Sequence, residues 1–189
     1  MRIVGGKWKG RSIEAPQGRD VTRPTTDRAR EQIASMVLSA RGLDLSGDLV
    51  LDAFAGSGAM GLELLSRGAS RSTFVDADRK AAARVRRTAQ ALGAAPTEFA
   101  VVAGDAFKLA GEGRLRGPFD VVFLDPPYAV DAAEVSGLVK ALHAAGQLSQ
   151  GCAVVYEHAS KACGLSCDFL DLEKSKTHGI TTVDLHVVR

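Results

Sequence analysis

Between Leu49 and Glu157, apolar runs of strand length alternate with stretches of helical period, and this alternation restricts the fold more than any other feature. Strands are expected at Leu49 to Ala53, Thr73 to Asp76, Phe99 to Ala103, Phe119 to Asp125 and Ala153 to Glu157. Helices are expected at Ala59 to Arg67, Arg79 to Leu92, around Ala106 to Ala110, and at Ala132 to Ala145. Strand and helix in turn mean βαβ units, hence a parallel α/β sheet with helices on both faces. The chain's end departs from the rhythm: Leu165 to Leu172 and Ile180 to Val188 read as strands with only Ser175 to Gly179 between them, a closing antiparallel hairpin. At 189 residues the chain has the length of one domain. It shows no apolar stretch of membrane-spanning length and opens on a polar, charged Met1 to Gly10, so a cytoplasmic protein is expected.

A doubly wound sheet binds ligands at the carboxyl ends of its strands. At the first of them, Asp52-Ala53-Phe54-Ala55-Gly56-Ser57-Gly58-Ala59-Met60-Gly61 carries G-x-G-x-x-G between a strand and a helix. Gly56 and Gly58 permit a tight turn and a close approach of backbone to ligand, and the following helix offers its first amides. Nicotinamide enzymes and other users of adenosine cofactors share this pattern. Asp52 moves the reading away from a dinucleotide, because a carboxylate there favours a ligand ammonium group and opposes a pyrophosphate. S-adenosyl-L-methionine has that ammonium group and no phosphate. Asp76, with Ala77, ends the second strand about twenty residues on, where a carboxylate accepts the ribose hydroxyls of either cofactor. Asp105, before Ala106, is open to two readings, an acceptor for an adenine amino group or a helix N-cap.

The fourth apolar strand, Val121-Val122-Phe123-Leu124, runs into Asp125-Pro126-Pro127-Tyr128. Two prolines fix φ twice and remove two amide donors, leaving carbonyl oxygens beside a carboxylate. Such a set of acceptors suits the exocyclic amino group of a base, whose hydrogens it can hold while turning the nitrogen lone pair toward a methyl donor. Catalysis is then mainly positioning, with the reacting atoms brought to about 3–3.5 Å. Tyr128 offers a flat face on which an extruded base can stack. No hydride-transfer constellation accompanies the glycine loop, and no cysteine is placed as the covalent nucleophile of a cytosine-C5 enzyme.

Charge is unevenly spread. The net charge is +2, yet residues 1–41 hold nine Lys and Arg against four Asp and Glu, which points to a nucleic-acid-facing end. There Arg2 to Gly5 and Arg11 to Ala15 read as a β-hairpin around Gly6-Lys7-Trp8-Lys9-Gly10. Pro24-Thr25-Thr26-Asp27 then starts a helix running to about Ala40, with Ala29, Ile33, Met36, Val37 and Ala40 inward and Arg28 and Glu31 outward. Arg84, Arg86 and Arg87 are open to two readings, a contact with RNA or a solvated helix face, of which the second is preferred. Cys152, Cys163 and Cys167 are odd in number and read as free thiols, and Cys163 and Cys167 with His158 lack a fourth ligand for zinc, so no metal site is expected. All four histidines read as structural or surface residues.

With these residues in view, the chain resembles the RsmD family of ribosomal RNA guanine-N2 methyltransferases, within the class I S-adenosylmethionine-dependent methyltransferases. The resemblance rests on Arg2-Ile3-Val4-Gly5-Gly6 with Trp8, on Arg23-Pro24-Thr25-Thr26-Asp27, on the Asp52 to Gly58 loop and on Asp125 to Tyr128, and it covers nearly the whole chain. It implies a Rossmann-like seven-stranded sheet in residues 21–189 with a basic β-hairpin extension in residues 1–20. Asp52, Phe54, Gly56, Gly58, Asp76, Ala77, Asp105 and Ala106 would bind S-adenosyl-L-methionine, and Asp125, Pro126, Pro127 and Tyr128 would engage the target amino group. Lys7, Trp8, Lys9, Arg11, Arg23, Thr25 and Arg28 would grip ribosomal RNA of the assembling small subunit, the enzyme acting as a monomer. Asp76 departs from the family, which often has Glu there, and Asp78 could share or replace its ribose contact. Adenine N6 in DNA, or an amino group in another RNA, is the alternative target, since Asp125 to Tyr128 serves any of them.

Overall fold

A computed structural model describes residues 1–14 and 26–189. After a 3₁₀ turn at Gly6–Trp8 come α1 (Asp27–Ala40), β1 (Leu49–Asp52), α2 (Ala59–Ser66), β2 (Arg71–Asp76), α3 (Arg79–Leu92), β3 (Phe99–Ala103) and α4 (Ala106–Gly111). They are followed by β4 (Phe119–Leu124), α5 (Ala132–Ala144), β5 (Leu148–Ala159), β6 (Leu170–His178) and β7 (Thr181–Val188). One seven-stranded sheet results, in the order β3-β2-β1-β4-β5-β7-β6. Strands β1 to β5 pair in parallel, and β7 runs antiparallel to both β5 and β6.

The central strands are covered on both faces, which is why β1 and β4 read as continuous apolar runs. Alternation along each strand sends Val50, Val121 and Phe123 into one core with α1, α2 and α3. It sends Leu51, Val122 and Leu124 into a second core with α4 and α5. The strand order reverses between β1 and β4, and the crevice at that switch point opens at their carboxyl ends. At the opposite end of the same strands, Arg41 closes the sheet, pairing with Asp48 at 2.7 Å and Asp120 at 3.6 Å. Side-chain caps start the helices where the sequence places them. Thr26 Oγ1 accepts from Ala29 N–H at 3.2 Å, and Asp131 with Glu134 forms a capping box on α5.

Two expectations need correction. The expected N-terminal strands reduce to one antiparallel bridge, Arg2 to Ser12, because the 3₁₀ turn takes up the residues between them. Ile3, Trp8 and Ile13 anchor this short hairpin by packing into the core of α1, α2 and α3. The 20/21 boundary expected for the hairpin lies outside the described residues. At the other end, the strand expected at Leu165 to Leu172 starts at Leu170 and runs through the expected turn to His178, with the reversal at Gly179 (φ +62°). Exposed along almost its whole length, β6 is an edge strand that needs no apolar face, so alternation could not reveal Glu173 to His178. Its bulge between Leu172 and Lys174 and its outward lysines blunt the free edge.

Candidate active site

Each glycine of the G-x-G-x-x-G loop has its own steric reason. Gly56 turns at φ +55°, and a Cβ there would meet only Phe54 O, 4.0 Å away, so it faces open space. Gly58, at φ +75°, precedes α2 and lies against Val85. At Gly61 a Cβ would stand 2.3 Å from Phe74 Cε1 and 2.7 Å from Ser72 Oγ, so only a bare α-carbon lets α2 lie on β2.

Carboxylates hold this loop from below. Asp52 is 2% exposed and accepts from Gly61 N–H at 3.1 Å. It therefore sits beneath the loop, and its reach toward a ligand is through its charge. Burial pushes its pKa up to about 7, with Asp125 and Asp76 adding like-charge repulsion. Asp76 accepts from Gly56 N–H at 2.7 Å through one oxygen and from Asp78 N–H at 2.8 Å through the other, which fixes it beside the loop. Asp78 and Asp105 both act as N-caps. Asp78 accepts from Lys80 N–H at 2.8 Å, and Asp105 accepts from Phe107 N–H at 2.8 Å and Lys108 N–H at 3.3 Å, through one oxygen in each case. Ala77 is exposed at the β2 corner, whereas the Ala106 side chain is buried.

Sequence reasoning missed two neighbours. Phe107 meets Phe54 with ring centroids 5.6 Å apart, tilted by 55°, and forms an apolar wall between the first and third strand ends. Only its position after Asp105-Ala106 could have marked it. Glu157, two residues before the end of β5, lies next to Asp125, since Leu124 and Tyr156 are partners in the parallel register. Its Oε2 is buried and has no hydrogen-bond partner among the described residues, and burial with the nearby Asp125 pushes its pKa up to about 8. A charged residue after Val154-Val155-Tyr156 was the available signal.

In the Asp125 to Tyr128 segment, Pro126 is buried and Pro127 accepts from Val130 N–H at 2.9 Å through its carbonyl. Tyr128 is 62% exposed, an unusual position for an aromatic ring, with its face open to solvent. Asp125 is reached by solvent yet surrounded by protein mass, and that desolvation pushes its pKa up to about 6. Asp52, Asp125 and Glu157 thus line up toward the carboxyl ends of the adjacent β1, β4 and β5, each raised above the usual carboxylate range. His158 lies behind this row as a buried structural residue, with Nε2 3.1 Å from Asp184 Oδ2 and its ring stacked on Tyr156.

The basic end is built around a buried ring. Trp8 is 6% exposed; its ring lies in the core and its backbone N–H donates to Ser66 Oγ at 2.9 Å, so burial of this ring holds the hairpin down and leaves no free stacking face. Lys7 lies 4.6 Å from the Trp8 ring centroid and pairs with Glu98 at 2.5 Å. Arg11 donates to Leu92 O and Ala91 O, while Lys9 and Arg28 are exposed. Arg23 and Thr25 lie outside the described residues.

The sheet order, the glycine loop at its switch point and the acceptor segment on the neighbouring strand define a class I methyltransferase fold. Within that class the chain belongs to the RsmD family: the family model described as Conserved hypothetical protein 95 matches residues 1–187. It is 34% identical over 192 residues to "Putative rRNA methyltransferase YlbH" of Bacillus subtilis (strain 168), covering 100% of both chains. Ribosomal RNA small subunit methyltransferase D of Haemophilus influenzae is 32% identical over 134 residues, which cover 71% of this chain and 67% of that protein. Among solved structures, "Putative methyltransferase yhhF" from Escherichia coli superposes with a TM-score of 0.83 at 27% identity, covering 100% of this chain and 97% of the other.

Proposed function

We propose that this chain is an S-adenosyl-L-methionine-dependent methyltransferase that modifies the N2 amino group of a guanine in small-subunit ribosomal RNA. The observation that carries this reading is the acceptor segment Asp125 to Tyr128 on β4, adjoining the glycine loop of β1 in a chain of the RsmD family. The residues present fit the cofactor. Gly56 faces open space, Asp76 is fixed at the β2 end for a ribose diol, Phe54 and Phe107 form an apolar wall for an adenine, and the buried charge of Asp52 favours a cation. When bound, the cofactor supplies a methyl group activated by a sulfonium sulfur.

The chain's own residues then have a positioning task. Asp125, with the Pro126 carbonyl, accepts the hydrogens of the target amino group and frees its lone pair from the ring. Tyr128 presents its exposed face to the extruded base. With its pKa near 6, Asp125 is ionised at neutral pH and able to accept, without being a strong base. Lys9 and Arg28, with Lys7 and Arg11 at the hairpin, supply positive charge toward the RNA, and Trp8 supports them from the core. Relatives named as ribosomal RNA methyltransferases support RNA over DNA as the substrate.

Transfer of labelled methyl to small ribosomal subunits from a strain lacking this protein, with nucleoside analysis by mass spectrometry, tests the reading. N2-methylguanosine is expected. Label in DNA or in another RNA, with none in those particles, overturns the substrate and leaves the chemistry at Asp125.

A further inference from the structure

Helix α3 carries Arg79, Lys80, Arg84, Arg86 and Arg87 and no acidic side chain. Its first residue follows Asp78, two positions past Asp76 at the cofactor corner of β2. The N-terminal hairpin is fastened to this helix at two places, its C-terminal end and its middle. Arg11 donates to Leu92 O at 2.9 Å and Ala91 O at 2.6 Å, placing a guanidinium at the negative end of the helix dipole. Glu14 pairs with Arg87 at 3.0 Å and approaches Arg84 at 4.0 Å. Glu14, Lys80, Ala83, Arg84 and Arg87 line a hollow of about 290 Å³, roughly ten water volumes, in which three cationic side chains face one carboxylate.

A merely solvated helix face normally balances its cations with acids three or four residues away, and like charges at those spacings are destabilising. Here the balance inside the helix is missing, and among the described residues Glu14 is the acid that serves two of its arginines. From Arg79 to Arg87 the stripe is about 12 Å long at 1.5 Å per residue, enough to follow successive phosphates. We infer that the exposed face of α3, joined to the docked hairpin, is the track on which the phosphate backbone of the substrate RNA lies while the target base enters at Tyr128. This revises the reading of Arg84, Arg86 and Arg87 as a solvated face, and it rests on RNA being the substrate.

The test measures binding to a transcript of small-subunit ribosomal RNA as a function of salt. The variant Arg79→Ala/Lys80→Ala/Arg87→Ala is compared with Lys108→Ala/Arg114→Ala/Lys140→Ala, which removes as many exposed charges from elsewhere on the surface. Each lost phosphate contact lowers the slope of log affinity against log salt by about 0.7–0.9. The α3 variant is therefore expected to lose about 2–3 from the slope and at least about tenfold in affinity near 0.1 M salt. The second variant should stay near wild type, S-adenosylhomocysteine should bind both variants as it binds wild type, and Arg87→Lys in place of Arg87→Ala should recover part of the slope. Equal losses in the two variants, or an unchanged slope in the α3 variant, overturn the track. So does a loss confined to intact small subunits, which would assign the stripe to a protein partner. Failure of the wild-type protein to bind or methylate the RNA at all is a separate result, and it sinks the substrate reading instead.

Discussion

Replacing Asp52 by Asn should stabilise the protein and weaken its cofactor binding, two effects of opposite sign from one buried charge. Asp52 is 2% exposed, and its pKa rises from 3.8 to about 7 chiefly because burial disfavours the carboxylate. With a folded-state pKa above the unfolded one, the native state holds the proton more tightly. This stabilisation is complete below about pH 4 and is lost as pH rises through 7. At 1.36 kcal/mol per tenfold change in proton affinity, the loss has a ceiling of about 4 kcal/mol, and relaxation of the site brings it to roughly 2 kcal/mol. Asn keeps an oxygen for Gly61 N–H and has no charge to bury. At pH 8 the variant should therefore melt about 4–8 °C above wild type, at 2–4 °C per kcal/mol for a chain of this size, and the gap should shrink as the pH falls below 7 and close only below about pH 4. Thermal melts followed by circular dichroism between pH 4.5 and 8.5 give the comparison, and calorimetric titration with S-adenosylhomocysteine should show binding weakened at least about tenfold, about 1.4 kcal/mol. A gap that is the same at every pH, or a variant that melts below wild type at pH 8, refutes the assignment of a buried charge to Asp52.

Three more outcomes follow from particular contacts. Glu63 is fully buried and accepts from Val4 N–H, Gly5 N–H and Arg67 Nε, each at 2.8 Å. Glu63→Ala should cost about 3–5 kcal/mol in denaturant unfolding and expose the hairpin to protease, with Glu63→Gln milder. Gly61→Ala must displace Phe74 or α2, and a soluble variant with unchanged melting temperature would contradict the helix-on-strand packing. Asp125→Ala should lower methyl transfer at least about 100-fold with cofactor affinity nearly unchanged, while wild-type transfer should rise with pH through about 6 and then level off. Turnover by Asp125→Ala close to wild type would remove Asp125 from the mechanism.

Much of this architecture was legible because a buried parallel sheet writes itself plainly. Val50-Leu51 and Val121 to Leu124 have to be apolar on both faces, and α3 begins and ends at the expected residues, between Asp78 and a glycine at φ +84°. What stayed hidden depends on pairing rather than pattern. β6 lies at the sheet edge, where Lys174 and Lys176 pair with β7 on one side and meet water on the other. Trp8 reads as exposed between two lysines until Ile3 and Ile13 are seen to share its core. Arg30 lies one residue past the inward Ala29, and nothing local announces that it is 1% exposed, donating to Arg2 O at 2.8 Å and Asp27 at 2.6 Å. Glu157 becomes a neighbour of Asp125 only once the register of β4 on β5 is fixed.

That neighbour changes what the acceptor segment can be. Arg41 neutralises Asp48 and Asp120 at the amino end of the sheet, but toward the carboxyl end burial raises the proton affinity of Asp52, Asp125 and Glu157 on three adjacent strands, and the Asp125 charge raises that of Asp52 and Glu157 further. A row of this kind is a poor place for a phosphate and a good one for positive charge, which is the electrostatic side of preferring a sulfonium cofactor to a dinucleotide. It also explains how Asp125 can hold an amino group without serving as a strong base. Burial raises the proton affinity of both Asp125 and Glu157 and the Asp125 charge raises that of Glu157 further, so the two titrate as a pair, and a proton taken up by the buried Glu157 relieves the repulsion on the solvent-reached Asp125.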